Sequence, residues 1–206
     1  MYKSTKLTRI IPNPKSSSLW KNCRIGLMGG SFDPSHKGHV HLAMQALNKL
    51  KLDYVWWLFT PQNPIKQDLQ EPSIEKRIIT AQNLFQHPKM IYSNIEEAYG
   101  TRFTYETIMK AKQTFPNTDF IWIAGMDNTK NFHKWEKWQG LVKEMPIAFF
   151  TRPPIKQTIK QTPLKMYQHV KNIYRAPNQF KKGHIYWILL GPTIKASSTQ
   201  IRESLP

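Results

Sequence analysis

Two histidines, His36 and His39, stand three residues apart at the end of the run Gly29-Gly30-Ser31-Phe32-Asp33-Pro34-Ser35-His36-Lys37-Gly38-His39. At that spacing in a helix the two imidazoles share one face, so both can donate to a single anion. The paired glycines admit a ligand that a Cβ would push away, and a following helix N-terminus offers unpaired N–H groups and a partial positive charge. The chemistry implied is the gripping of phosphate while charge spreads over it, which needs no side-chain nucleophile. Histidines at i, i+3 are commonly surface residues, and glycine pairs after strands are common in α/β proteins. What distinguishes this run is the order of its parts, from an apolar strand (Ile25-Gly26-Leu27-Met28) through the turn to a helix marked by Val40, Ala43, Met44, Leu47 and Leu50.

A second candidate anion site lies near the other end. The apolar run 185–190 is closed by Gly191-Pro192, and Ser197-Ser198-Thr199-Gln200-Ile201-Arg202 follows. Ser197 and Gln200 have capping-box spacing, so a helix is predicted to begin there with hydroxyls and free amides at its tip. Arg202, one turn in, adds a planar fork of donors. Taken alone this is a capped helix with a surface arginine. A third cluster follows the apolar run 120–125, where Met126-Asp127-Asn128 precedes Phe132, Trp135 and Trp138. Their spacing predicts one helical face, with Trp138 in the core.

The elements that must position these groups are legible as alternating patterns. Apolar runs at 24–28, 54–60, 119–124, 146–151 and 185–190 are predicted strands, and 40–50, 74–85 and 104–115 are the better helices. Strands apolar on both faces belong in a parallel sheet covered by helices. The expected fold is therefore α/β, a Rossmann-like doubly wound parallel sheet in a single domain, with ligands beyond the carboxyl ends of the strands at the switch in strand order. Residues 1–22, basic and broken by Pro12 and Pro14, are expected to be a poorly ordered extension, leaving 23–206 as the domain.

Composition sets limits. With Cys23 the only cysteine among 206 residues, no internal disulfide is possible and a reducing cytoplasm is the expected setting. No stretch approaches the length of a membrane span, and the N-terminal segment lacks the apolar core of a signal peptide. The net charge of +17 is less easily absorbed, since the tract 152–182 holds eight Lys or Arg, four Pro and no acid. A nucleic-acid binder is the rival from a different class. The tract shows no clear amphipathic helix and no RNA-binding signature, so a solvated basic face with weak electrostatic adhesion to nucleic acid is the preferred reading.

The His36–His39 run resembles the (H/T)xGH signature of the nucleotidylyltransferase superfamily, relatives of the class I aminoacyl-tRNA synthetases. With Gly29 to Pro34 ahead of it, the run looks most like the bacterial nicotinate-nucleotide adenylyltransferases. Residues 197–202 resemble the superfamily's SSTxIR element, and 125–128 resemble a GADN element with an FxxWxxW continuation. Residues 61–66 resemble a shortened P-x-N-P-x-x-K loop, and 103–107 an SYTxxT segment. Departures are Ser35 after the Asp-Pro turn and Met126 in place of alanine.

The resemblance implies that His36, His39 and Arg202 are catalytic. It implies that Gly29, Gly30, Ser31, Phe32, His36, His39, Gly125, Asp127, Ser197, Ser198, Thr199 and Arg202 bind ATP. Ser31, Lys66, Thr104, Asn128, Trp135 and Arg152 would bind nicotinate mononucleotide, with the Trp135 indole stacked on or walling off the pyridine. Mg²⁺ would accompany ATP as co-substrate, with no protein metal site. Pantetheine-phosphate adenylyltransferase is the alternative within the superfamily but lacks a counterpart of FxxWxxW. A synthetase fragment would need a KMSKS-like lysine loop.

Overall fold

The computed structural model describes residues 12, 14–61, 72–151, 162–170 and 176–189. Among them seven strands form one sheet: β1 (Arg24–Gly30), β2 (Tyr54–Phe59), β3 (Met90–Ser93), β4 (Asp119–Gly125), β5 (Ile147–Thr151), β6 (Gln168–Val170) and β7 (His184–Leu189). The helices are α1 (Lys37–Lys49), α2 (Ile74–Leu84), α3 (Ile95–Tyr99), α4 (Thr104–Thr114), α5 (Thr129–Phe132) and α6 (Trp138–Glu144).

The strand order is β3-β2-β1-β4-β5-β7-β6, and every pairing is parallel. From β1 the chain winds outward through β2 to β3, then returns to the other side of β1 for β4 and β5. The order reverses between β1 and β4, which makes the carboxyl ends of these two strands the switch point of a doubly wound sheet. This is the Rossmann-like architecture expected from the alternating apolar runs.

The two faces follow from strand period. Along β2, Trp56 and Leu58 join one apolar cluster with Ile108 and Ala111 of α4, Phe115 just beyond its end, and Leu141 and Val142 of α6. Val55, Trp57 and Phe59 point the opposite way, into a cluster with Ala43, Ala46 and Leu47 of α1 and Ile74, Ile78 and Ala81 of α2. Crossovers of constant hand cover one face while the chain winds outward and the other after it reverses. That is why α1 and α2 lie opposite α4 and α6.

The five expected strands and three expected helices are present, with no end shifted by more than three residues. The short β3 and β6 edges were not expected. β3 holds four residues and β6 three, too few to show a period, and β6 sits inside the basic tract.

Within residues 1–22, expected as a poorly ordered extension, the described stretch is folded. Pro14–Trp20 is a 3₁₀ helix, and Trp20 is 2% exposed. Its indole meets Tyr54 and Trp56 edge-on, both with ring centroids 5.1 Å away. Thr118 Oγ1 donates to the Trp20 carbonyl at 2.8 Å. One aromatic residue supplies enough buried area to dock a polar, proline-broken segment.

Candidate active site

β1 delivers the glycine-rich run to the switch point, and α1 begins directly behind it. His36 is the N-cap of α1, in extended backbone conformation (φ −144°, ψ 168°). Its Nδ1 accepts the Gly38 N–H at 3.1 Å, and His39 Nδ1 accepts the His36 N–H at 3.3 Å. The pair reproduces the reciprocal logic of a capping box with imidazoles in place of the usual hydroxyl and carboxylate. A ring nitrogen that accepts a hydrogen bond carries no proton, so the N–H of each ring falls on Nε2. The rings are stacked, with centroids 3.8 Å apart and planes inclined by 23°. Backbone geometry thus dictates both tautomers and sets the two donor edges side by side.

Phe32 supports this pair from below. It has a left-handed backbone (φ +50°), a conformation that costs an L-residue about 1 kcal/mol, yet its ring is buried. That ring lies edge-on to His39 at 5.1 Å and against Trp57 at 5.0 Å and Phe59 at 4.8 Å. The compensation is aromatic packing against the end of β2.

Both glycines lie against aromatic rings of the protein itself. A Cβ on Gly29 would stand 2.5 Å from the Trp122 indole, and one on Gly30 would be 3.3 Å from the Phe32 ring. Gly29 and Gly30 clear space for the protein's own aromatic rings.

β4, adjacent to β1, brings Gly125, Asp127 and Asn128 to the same edge of the sheet. A Cβ on Gly125 would run into Asp127 Oδ1, so the aspartate folds back over the strand end. Asn128 Nδ2 donates to the Gly125 carbonyl at 3.4 Å.

The predicted helix carrying Phe132, Trp135 and Trp138 on one face is not formed. α5 stops at Phe132 and α6 starts at Trp138, with Lys137 between them at φ +49°. Trp135 lies in the intervening turn, half-buried, tilted against Phe132 at 4.9 Å and edge-on to Trp122 at 5.6 Å. Trp138, expected in the core, is only partly buried; it packs on Tyr167 at 5.9 Å and against the edge of the core cluster.

Thr104 opens α4. Its neighbour Tyr105 abuts Gly140 of α6, and Lys137 Nζ lies 5.7 Å from the Tyr105 ring. The start of α4 and the Trp135 turn are thereby joined. Lys66, Arg152, Ser197, Ser198, Thr199 and Arg202 lie outside the described residues.

Two buried ionisable residues at this edge were not singled out from the sequence. Arg77, 3% exposed, stands at i+3 from Ile74 and one residue before Ile78 on the apolar face of α2. A lone arginine on that face was the available signal. Glu96 of α3 is 2% exposed, and burial pushes its carboxyl up to about 8. Its carbonyl accepts from the Thr101 hydroxyl, which pairs with the Thr107 hydroxyl at 2.7 Å, at the corner leading into α4.

A cavity of about 450 Å³ lies at the opposite, amino-terminal edge of the sheet, lined by Arg24, Lys112, Asp119, Glu144 and Lys182 among others. Among the described residues no group of three His, Cys, Asp or Glu is placed to hold a metal ion, and no helix is long and apolar enough to cross a membrane.

A doubly wound parallel sheet with a histidine-capped helix at its switch point is the layout of a nucleotide-phosphate-binding α/β protein. Residues 27–204 match the cytidylyltransferase-like family model. A probable nicotinate-nucleotide adenylyltransferase of Cereibacter sphaeroides is 36% identical over 180 residues, covering 87% of this chain and 97% of that one. One from a Ruegeria species is 35% identical over 187 residues, covering 87% and 96%. The nicotinic acid mononucleotide adenylyltransferase of Plasmodium falciparum, solved in complex with NaAD, shares the fold at a TM-score of 0.66 with 19% identity, covering 88% of this chain and 83% of that one. The chain belongs to the cytidylyltransferase-like family and, within it, to the nicotinate-nucleotide adenylyltransferases.

Proposed function

We propose that this enzyme transfers the adenylyl group of ATP to nicotinate mononucleotide, giving nicotinate adenine dinucleotide and pyrophosphate. A phosphate oxygen of the mononucleotide attacks the α-phosphorus of ATP. The bond from that phosphorus to the bridging oxygen breaks, and pyrophosphate leaves with the electron pair. No enzyme-bound intermediate is needed, so the protein's work is to hold two polyanions in line and to stabilise charge as it spreads.

The observation that carries this reading is the stacked His36–His39 pair at the switch point, each ring fixed by a backbone amide with Nε2 as donor. Preorganised donors of this kind act on charge that develops in the transition state. Asp127 and the Gly125 strand end are assigned to the adenine nucleotide, and Arg202 with Ser197 to Thr199 to its phosphates. Thr104, Asn128 and Trp135, with Ser31, Lys66 and Arg152, are assigned to the mononucleotide.

Mg²⁺ belongs to the substrate. Two rings whose Nδ1 atoms are taken by backbone amides offer N–H donors to phosphate rather than lone pairs to a metal, which suits an ion carried on phosphate oxygens and water. Bound there, it neutralises charge on the triphosphate. The single cysteine fits a reducing cytoplasm.

The direct test is pyrophosphate release from ATP and Mg²⁺ with nicotinate mononucleotide, nicotinamide mononucleotide or phosphopantetheine offered separately. Release with nicotinate mononucleotide well above the other two is expected. Release with phosphopantetheine alone, or with none of the three, overturns the reading.

A further inference from the structure

Arg77 is a buried guanidinium whose donors reach three separate loops. Nη1 donates to the Ser31 carbonyl at 2.6 Å, Nη2 to the Thr60 carbonyl at 2.8 Å and the Pro61 carbonyl at 3.3 Å, and Nε to the Pro72 carbonyl at 2.9 Å. These carbonyls belong to the exit of β1, the exit of β2 and the lead into α2. A buried cation is costly unless its donors are satisfied, and a guanidinium is a rigid fork that cannot re-aim them one at a time. The three loops must therefore sit where the fork requires.

Ser31 is the residue between the Gly30 end of β1 and Phe32, whose ring meets His39 edge-on at 5.1 Å. A path of direct contacts runs from Arg77 through the Ser31 carbonyl and the Phe32 ring to the imidazole pair. The Thr60 N–H donates to the Gly30 carbonyl at 3.2 Å, so the two loops held by the guanidinium are also tied to each other.

We propose that Arg77 is a positioning residue for the phosphate-binding loop, setting through Ser31 and Phe32 the place at which His36 and His39 present their donors. The assignment rests on the adenylyl-transfer reading above. Arg77 does not contact substrate. It acts by restricting the loop to the geometry in which the imidazoles reach phosphate, and misplacement of such groups by about 1 Å costs up to about a hundredfold in rate.

The test compares wild type with Arg77→Lys and Arg77→Ala in steady-state kinetics, at a temperature where circular dichroism shows all three folded. Loss of kcat by about 10- to 100-fold is expected, with KM for ATP and for nicotinate mononucleotide changed by less than about threefold. Millimolar guanidinium should restore part of the Arg77→Ala rate. If the variants melt lower but keep kcat per folded molecule within about twofold of wild type, Arg77 is only a structural staple and the proposal is wrong.

Should no variant fold, native-state hydrogen exchange on wild type decides. The amides at 31–33 must open together with those at the start of α2, and independent opening overturns the proposal. A wild type that releases no pyrophosphate defeats the adenylyl-transfer reading instead, a distinguishable result.

Discussion

His36 Nδ1 accepts the Gly38 N–H while His39 Nδ1 accepts the His36 N–H, so the two imidazoles at the start of α1 cap the helix and take their tautomers from it. Structural and chemical roles reside on different nitrogens of the same rings. They can be separated by substitution.

In His36→Asn the amide oxygen can still cap the helix, because asparagine is among the best N-caps, but the Nε2 donor is gone. Thermal stability close to wild type with kcat lowered about a hundredfold is expected. His36→Ala should lose the same rate and about 1 kcal/mol of stability besides. Paired thermal melts and steady-state kinetics check this, and normal turnover in either variant removes His36 from the mechanism.

Thr104 and Trp135 are assigned to the mononucleotide pocket. Changing both to alanine should raise KM for nicotinate mononucleotide at least tenfold, an order-of-magnitude figure for lost aromatic and polar contacts, while KM for ATP moves little. Initial rates with each substrate varied in turn provide the measurement. An unchanged mononucleotide KM would place the pocket elsewhere.

Gly29 is predicted to be required by Trp122. With a Cβ 2.5 Å from the indole, Gly29→Ala should destabilise the fold by about 1–3 kcal/mol. The smaller ring of Trp122→Phe should relieve much of that strain, so urea denaturation of the two single variants and the double should give a non-additive cycle. Additive costs would mean that the glycine serves something other than the indole.

Glu96 gives the fold a pH dependence of definite sign. Its carboxyl ionises near 4.5 in the unfolded chain and at about 8 when folded, so between those values the folded state holds a proton that the unfolded state has lost. This contribution is intact below pH 4.5 and is lost as pH rises towards 8, at up to about 1.4 kcal/mol per unit. Glu96→Gln, which mimics the protonated acid, should flatten the slope in urea titrations between pH 5 and 8. A slope unchanged by the substitution would show that Glu96 is ionised in the folded protein.

By itself the sequence determined the parallel α/β class, the five longer strands, the helices α1, α2 and α4, and the placing of the histidine run after β1 at a helix N-terminus. Those features are written in local pattern: periods of two and 3.6, apolar runs, and turn residues at their ends. Only the tertiary structure showed that Gly29 leaves room for the Trp122 indole, because Trp122 comes from a strand some ninety residues away in sequence. The same is true of Trp20, whose burial depends on rings from β2, and of Trp135, which lies in a turn because α5 ends at Phe132 and α6 begins only after the left-handed Lys137. Arg77 makes the point most clearly. Its position on an apolar stripe was visible in the chain, but the carbonyls that satisfy it converge from three loops, and burial of a cation acquires meaning only when its partners are known.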